Sequence, residues 1–192
     1  MNNIKKKINK KRKFIKISGG YLKGKKIFTE KIIELRPTTC FMRRILFEEW
    51  LKEKIKKKNC LDCFAGSGIL SFEALSRNAN SVTLIESNKR TYNLILKNIK
   101  NFKKYKIKII NLNFNKVIKN INKKFDLIFL DPPFKLNIIK KSIFLIDKYK
   151  IAKKGCFVYV ESNIEVKPPK EWKLYKKKKK NKKHFNLYKL KC

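Results

Sequence analysis

An aspartate, two prolines and an aromatic residue, Asp131-Pro132-Pro133-Phe134, follow FDLIFL at 125–130, which reads as the most buried strand, apolar on both faces. Two prolines fix the backbone and remove two N–H donors, so the Pro132 carbonyl is free to face a ligand. An exocyclic amine on a nucleobase donates two hydrogen bonds. Asp131 and the Pro132 carbonyl can accept one each, and Phe134 can stack on the ring. This grip holds a neutral nitrogen in place and draws its lone pair out of the ring, as group transfer to nitrogen requires. The bland alternative is a tight turn that merely ends a strand, but a carboxylate after a fully buried strand needs a partner.

Some 65 residues upstream, Leu61–Gly68 reads LDCFAGSG. Glycines at the start of a helix let backbone approach a ligand where free N–H groups point outward. Gly66 and Gly68 supply G-x-G, but the third glycine of the dinucleotide fingerprint is absent, which disfavours a pyrophosphate. Asp62, at the strand-to-turn edge, suits a cationic amino-acid tail. Glu86 ends the next strand, roughly 20 residues on, where a carboxylate accepts both ribose hydroxyls; its alternative role is to cap the helix from Asn88. A nucleoside with free hydroxyls and an amino-acid tail, but no phosphate, describes S-adenosylmethionine. Asn113 and Phe114 end the third strand, placed to read the adenine edge and cover its face, or else to cap a helix and fill the core. No metal is expected, because a sulfonium is already an activated methyl donor.

These residues need a frame. Phe14–Ile17 and Lys25–Phe28, around Gly19 and Gly20, read as a hairpin. LRPTT at 35–39 reads as a fixed turn with Thr39 as N-cap, followed by a helix from Cys40 to Lys57. Strands are expected at 60–64, 81–86, 106–112, 125–130 and 155–161, with helices at 69–77, 88–102 and 137–149 and a short helix to about Asn122. Two extended runs, 171–176 and 184–190, follow, joined by a lysine-rich turn. Strands alternating with helices predict a doubly wound α/β sheet, and the closing pair predicts an antiparallel hairpin at one edge. The expected division is a basic arm with hairpin, 1–38, and an α/β domain, 39–192.

The chain has 192 residues and a net charge of +38. A polyanionic partner is expected, although Lys, Ile and Asn make up almost half the sequence, a bias that codon usage in an AT-rich genome also produces. The five cysteines are odd in number and widely spaced, which argues for reduced thiols in a cytoplasmic protein. Cys60 and Cys63 form C-x-x-C, but positions three apart on a strand face opposite sides, so buried structural thiols are expected. One histidine leaves no material for a histidine triad or multi-histidine metal site. No apolar run reaches membrane-spanning length, and the basic N-terminal segment lacks the apolar stretch of a secretory signal.

The order ISGG-x-x-K-G-K-K, LRPTT, CLDCFAGSG-x-L-x-x-EALSR, LIE, FLDPPF and YVES, with W-x-L and Y-x-L near the end, resembles the bacterial RsmD family. The likeness runs from about Phe14 to Leu190. It implies a Rossmann-like class I methyltransferase: a mostly parallel seven-stranded sheet with helices on both faces, an antiparallel C-terminal edge and a small N-terminal hairpin. The family methylates N2 of one guanine in 16S rRNA, on an assembled or nearly assembled small ribosomal subunit. A monomer is expected. The resemblance assigns Asp62, Gly66, Ser67, Gly68 and Glu86 to the cofactor and Asp131 to Phe134 to the base amine; Phe64 and Ala65, within the same turn, are expected to bind the cofactor too. Arg36, Thr38, Thr39 and Arg43 then belong to a cap near cofactor and RNA, and Lys23, Lys25 and Lys26 to RNA phosphates. The chain departs from the family at Cys40, where an Asp is usual, at Met42-Arg43-Arg44, and around Asn181, where lysines replace a glycine turn. Two other readings stand beside this one. One is a DNA adenine-N6 or protein-glutamine methyltransferase with a similar loop; the other is a non-catalytic RNA-binding assembly factor.

Overall fold

The computed structural model of the protein describes residues 13–29, 37–133 and 136–191. Its centre is a seven-stranded sheet built from β3 (Asn59–Asp62), β4 (Ser81–Ile85), β5 (Ile107–Ile110), β6 (Phe125–Leu130), β7 (Ala152–Ser162), β8 (Trp172–Lys180) and β9 (Lys183–Leu190), in the order β5-β4-β3-β6-β7-β9-β8. The first five strands in that order are parallel, and β9 runs antiparallel to both β7 and β8. The chain reverses direction across the sheet between β3 and β6. In open α/β sheets ligands bind outside the carboxyl ends of the strands at such a reversal.

Alternation along each strand divides the core into two layers. Leu127 and Phe129 of β6 face one side with Cys60, Tyr159 and Leu187. Ile128 and Leu130 face the other with Leu61, Cys63 and Val160. The first layer is covered by α1 (Pro37–Arg44), α2 (Ile69–Ser76) and α3 (Lys89–Ile99), the second by α4 (Phe114–Val117) and α5 (Leu136–Lys148). Cys60 and Cys63 thus lie in different layers, as the three-residue spacing predicts. Burial pushes both thiols well above the usual cysteine range. Cys60, Cys63 and Cys156 form no disulfide. No helix among the described residues is long and apolar enough to cross a membrane.

An N-terminal hairpin, β1 (Lys13–Lys16) with β2 (Lys26–Thr29), pairs Phe14 with Phe28 and Ile15 with Ile27. Its apolar side, Ile15, Ile17, Leu22 and Ile27, is buried in the first layer. The hairpin docks on the end of α2, where the Tyr21 and Leu22 N–H groups donate to the Ser76 carbonyl and hydroxyl at 2.8 and 2.9 Å. A Cβ on Gly20 would lie 2.0 Å from the Ser76 carbonyl oxygen, and its φ is +76°. Only glycine permits that approach.

Three boundaries differ from the sequence reading. The first helix begins at Pro37, so Thr39 lies within it and is not its N-cap; proline is well suited to a first helical position because its missing N–H would have no intrahelical partner. That helix does not continue to Lys57. It widens into a π-helical turn at Ile45–Trp50 and ends in a 3₁₀ turn at Lys52–Ile55. Five of the seven residues from Ile45 to Leu51 are buried, more than one stripe of a straight α-helix presents. The lysines at 177–180 belong to β8 rather than to a turn. The reversal is confined to Asn181 and Lys182, and Asn181 takes φ +53°, the left-handed conformation a glycine would otherwise supply.

Candidate active site

Four strands deliver their last residues to one crevice of about 520 Å³ at the carboxyl edge of the sheet. Asp62 comes from β3, Glu86 follows β4, Leu112 to Phe114 follow β5, and Asp131 follows β6. Asp62 is buried and accepts from the Ser71 hydroxyl at 3.0 Å. Glu86 is locked by backbone. One carboxylate oxygen accepts the Gly66 N–H at 2.9 Å, the other the Asn88 N–H at 2.7 Å. The glycine turn and the acid after the second strand are therefore one unit. Gly66 has φ +54°, the conformation that turns its N–H onto Glu86. A carboxylate oxygen has two acceptor positions, so each oxygen of Glu86 retains capacity for a hydroxyl donor.

Of the residues singled out from the sequence, Asp62, Phe64, Ala65, Gly66, Ser67, Glu86, Asn113, Phe114, Asp131 and Pro133 line this crevice together. Gly68 does not. It starts α2 in the left-handed conformation, φ +78°, with a Cβ position only 3.1 Å from Leu84 and Phe72 side-chain carbons, so its role is in the turn. Pro132 is buried beside the crevice without lining it. Phe134 and Arg36 lie outside the described residues, and Thr38 and Thr39 fall in the first turn of α1.

One expectation is corrected. Arg43 does not face RNA. It is buried, its Nε pairs with the Glu73 carboxylate at 2.9 Å, and it donates to the Lys16 carbonyl. Asn113 lines the crevice and at the same time caps α4, accepting the Asn115 N–H at 3.0 Å. Phe114 is a core aromatic packed on Phe64, ring centroids 5.6 Å apart. The exposed apolar surface at that rim is Leu112. Lys23, Lys25 and Lys26 are exposed on the hairpin. The Lys25 ammonium sits over the Phe102 ring and donates to the Asn101 carbonyl, and that of Lys26 sits over Phe14.

The sequence reading missed Phe28 and Thr29, which bring the N-terminal hairpin to the crevice wall, and Asn111, whose amide bonds the Glu86 carbonyl at 2.8 Å. The hairpin pair carries no local signal of a site, because only tertiary docking brings it there. Tyr159 and Glu161 of β7 were also missed. The Tyr159 hydroxyl donates to Glu161 at 2.9 Å, and Lys183 lies 3.6 Å from the same carboxylate. Burial raises the Glu161 carboxyl above the usual range despite Lys183. Burial, reinforced by the charges of Glu161 and Asp131, pushes the Tyr159 phenol well up, so it stays neutral.

The lining is electrostatically opposite to the molecule. In a chain with 52 Lys and Arg against 14 Asp and Glu, the crevice presents three carboxylates, Asp62, Glu86 and Asp131, and no Lys or Arg among the described residues. A phosphate-bearing cofactor has no cationic partner there among the described residues. A ligand with an ammonium and a sulfonium centre, two hydroxyls and an adenine fits the donor and acceptor set.

The strand order with its antiparallel final pair and this edge crevice define a Rossmann-like class I methyltransferase fold. Within that class the chain belongs to the RsmD family. The family model described as conserved hypothetical protein 95 matches residues 15–189. The ribosomal RNA small subunit methyltransferase D of Buchnera aphidicola from Acyrthosiphon pisum is 45% identical over 177 residues, covering 91% of this chain and 92% of that protein. The protein of the same name from Escherichia coli strain K12 is 34% identical, covering 91% and 89%. The solved structure of the E. coli methyltransferase yhhF superposes with a TM-score of 0.87 at 33% identity, covering 94% of this chain and 99% of that one.

Proposed function

We propose that this protein transfers the methyl group of S-adenosylmethionine to the exocyclic N2 amine of a guanine in 16S rRNA of the small ribosomal subunit, at the position-966 type of site. The observation that carries the reading is the acid-lined crevice in a strongly basic chain, which Asp131 lines together with Asp62 and Glu86. Relatives named for small-subunit rRNA methylation support the substrate class.

The bound cofactor supplies an electrophilic methyl on a sulfonium. Everything else is positioning. Glu86, fixed by the Gly66 and Asn88 N–H groups, would hold the ribose hydroxyls, and Asp62 would hold the ammonium of the amino-acid tail. Asp131, on the crevice lining, accepts one hydrogen of the target amine, and the Pro132 carbonyl, from the residue beside the crevice, would take the other once the base is seated. That grip would fix the nitrogen and leave its lone pair free for the transfer. Orientation of this kind supplies roughly 7–11 kcal/mol in favourable systems, against a few kcal/mol to take a base out of its stack. Tyr159, kept neutral, and Glu161 brace the strand beside Asp131. The surplus proton on the methylated amine passes to Asp131 or solvent.

Asp131→Ala should cut methyl incorporation into undermethylated small subunits by on the order of 10²–10³, as loss of one oriented polar group in a site does. S-adenosylhomocysteine affinity should hold. Glu86→Ala should weaken that affinity, measured by calorimetry. Full turnover in the Asp131 variant would overturn the assignment. Mass spectrometry of nuclease-digested rRNA from cells lacking the gene should show loss of a single N2-methylguanosine; loss of a methyladenine in DNA instead would favour the adenine-N6 reading.

A further inference from the structure

The strongest basic feature among the described residues lies on the far edge strand, not on the N-terminal hairpin. Register places it. Leu130 of β6 pairs with Val160 of β7, so Asp131 and Glu161 are the next residues at the same level. Glu161 pairs with Phe185 of β9, and Phe185 pairs with Lys178 of β8. Lys178 therefore stands level with Asp131, three strand spacings or roughly 14 Å across the sheet. Lys176, opposite Leu187, and Lys180, opposite Lys183, share its face.

That face is the α1 side. The Lys178 and Lys180 ammonium groups sit 4.9 and 4.6 Å from the centroid of one ring, Phe41 of α1. Phe41 is 42% exposed, an unusual place for a large apolar side chain with a core beside it. Tyr175, 38% exposed, adds a second ring that packs edge-on against Phe157 and lies within reach of the Lys176 ammonium. The ion pairs nearby, Lys183 with Glu161 and Lys191 with Glu171, leave Lys176, Lys178 and Lys180 without a carboxylate partner among the described residues.

We propose that Lys176, Lys178 and Lys180, with Phe41 and Tyr175, form a docking platform for the single-stranded RNA segment flanking the target base. The proposal rests on the rRNA reading and adds the surface that meets the substrate. Phosphates need cations spaced along a track, and unstacked bases need exposed rings; both occur here, at the height of Asp131. A solvated lysine face alone would not set two ammonium groups from one strand over an exposed ring on another element.

The test compares two triple variants of equal charge loss in the full-length protein. One is Lys176→Gln/Lys178→Gln/Lys180→Gln; the other is Lys97→Gln/Lys100→Gln/Lys103→Gln on the exposed side of α3 and the turn after it. Methyl incorporation into undermethylated small subunits is followed from 0.05 to 0.2 M salt, with S-adenosylhomocysteine binding as the check on folding. The platform variant should raise KM about tenfold or more, keep kcat within about twofold, and flatten the logarithmic salt dependence by about two, near 0.7 per lost single-strand phosphate contact. The α3 variant should change KM by less than about threefold. Equal shifts in both variants, or no shift in either, would overturn the platform and leave these lysines as guards of an exposed sheet edge. Turnover retained by Asp131→Ala would instead overturn the site and leave the KM comparison standing.

Discussion

At the scale of single residues, the most consequential group outside the crevice is Glu73. It is fully buried on α2, with Arg43 paired to one oxygen and Arg77 to the other, and it also accepts the Ser18 N–H at 2.7 Å. Arg43 is itself buried, and its Nη1 has no hydrogen-bond partner among the described residues. One carboxylate thus ties the hairpin, α1 and α2 together. Removing one member of a buried ion pair leaves an uncompensated charge, at a cost of about 3–5 kcal/mol. Glu73→Leu should therefore lower unfolding free energy by that order in urea titration. Arg43→Met/Glu73→Leu should recover part of it, since the stranded cation is gone. A single variant as stable as the parent would mean the pair carries little. The sequence did show EALSR as a motif, but nothing local marked its acid as internal.

At the scale of elements, Asn98 does for the hairpin's outer strand what Glu73 does for its turn. Its buried amide accepts the Phe28 N–H at 3.0 Å and donates to the Phe28 carbonyl at 2.9 Å, fastening β2 to α3. Phe28 and Thr29 line the crevice, so this contact links hairpin order to ligand binding. Asn98→Ala should leave two backbone groups unpaired, costing about 1–3 kcal/mol. Amide exchange should accelerate in β2 while β3 and β6 stay protected, and S-adenosylhomocysteine should bind severalfold more weakly. Faster exchange with unchanged affinity would separate the hairpin from the site. The sheet was legible in the sequence because its cues are local: FDLIFL is apolar on both faces, and the glycine turn follows directly on β3. The crevice acids were legible for the same reason, each ending a strand. The π turn at Ile45–Trp50 and the burial of Arg43 were not, because each depends on what another element places opposite.

At the scale of the whole molecule, the charge imbalance sets how stability responds to salt. The chain carries +38, and its ion pairs include exposed ones such as Lys56 with Glu53 and Lys150 with Asp147, which contribute little. The buried Arg43–Glu73 pair is screened far less than the surface. Repulsion among the surplus cations is long-ranged at low ionic strength, with a Debye length near 30 Å at 0.01 M, and is largely quenched at 1 M, where it is near 3 Å. Salt therefore removes more repulsion than attraction. The melting temperature should rise between 0.01 and 0.3 M sodium chloride, opposite to a protein held by surface salt bridges. A gain of about 1–2 kcal/mol would correspond to roughly 2–8 °C for a chain of this size. Sodium sulfate acts also by preferential exclusion, so the chloride series is the diagnostic one. A flat or falling melting temperature in chloride would mean that the lysines are spaced widely enough for water to screen them unaided. In that case the positive charge acts on the approach of RNA and not on the fold.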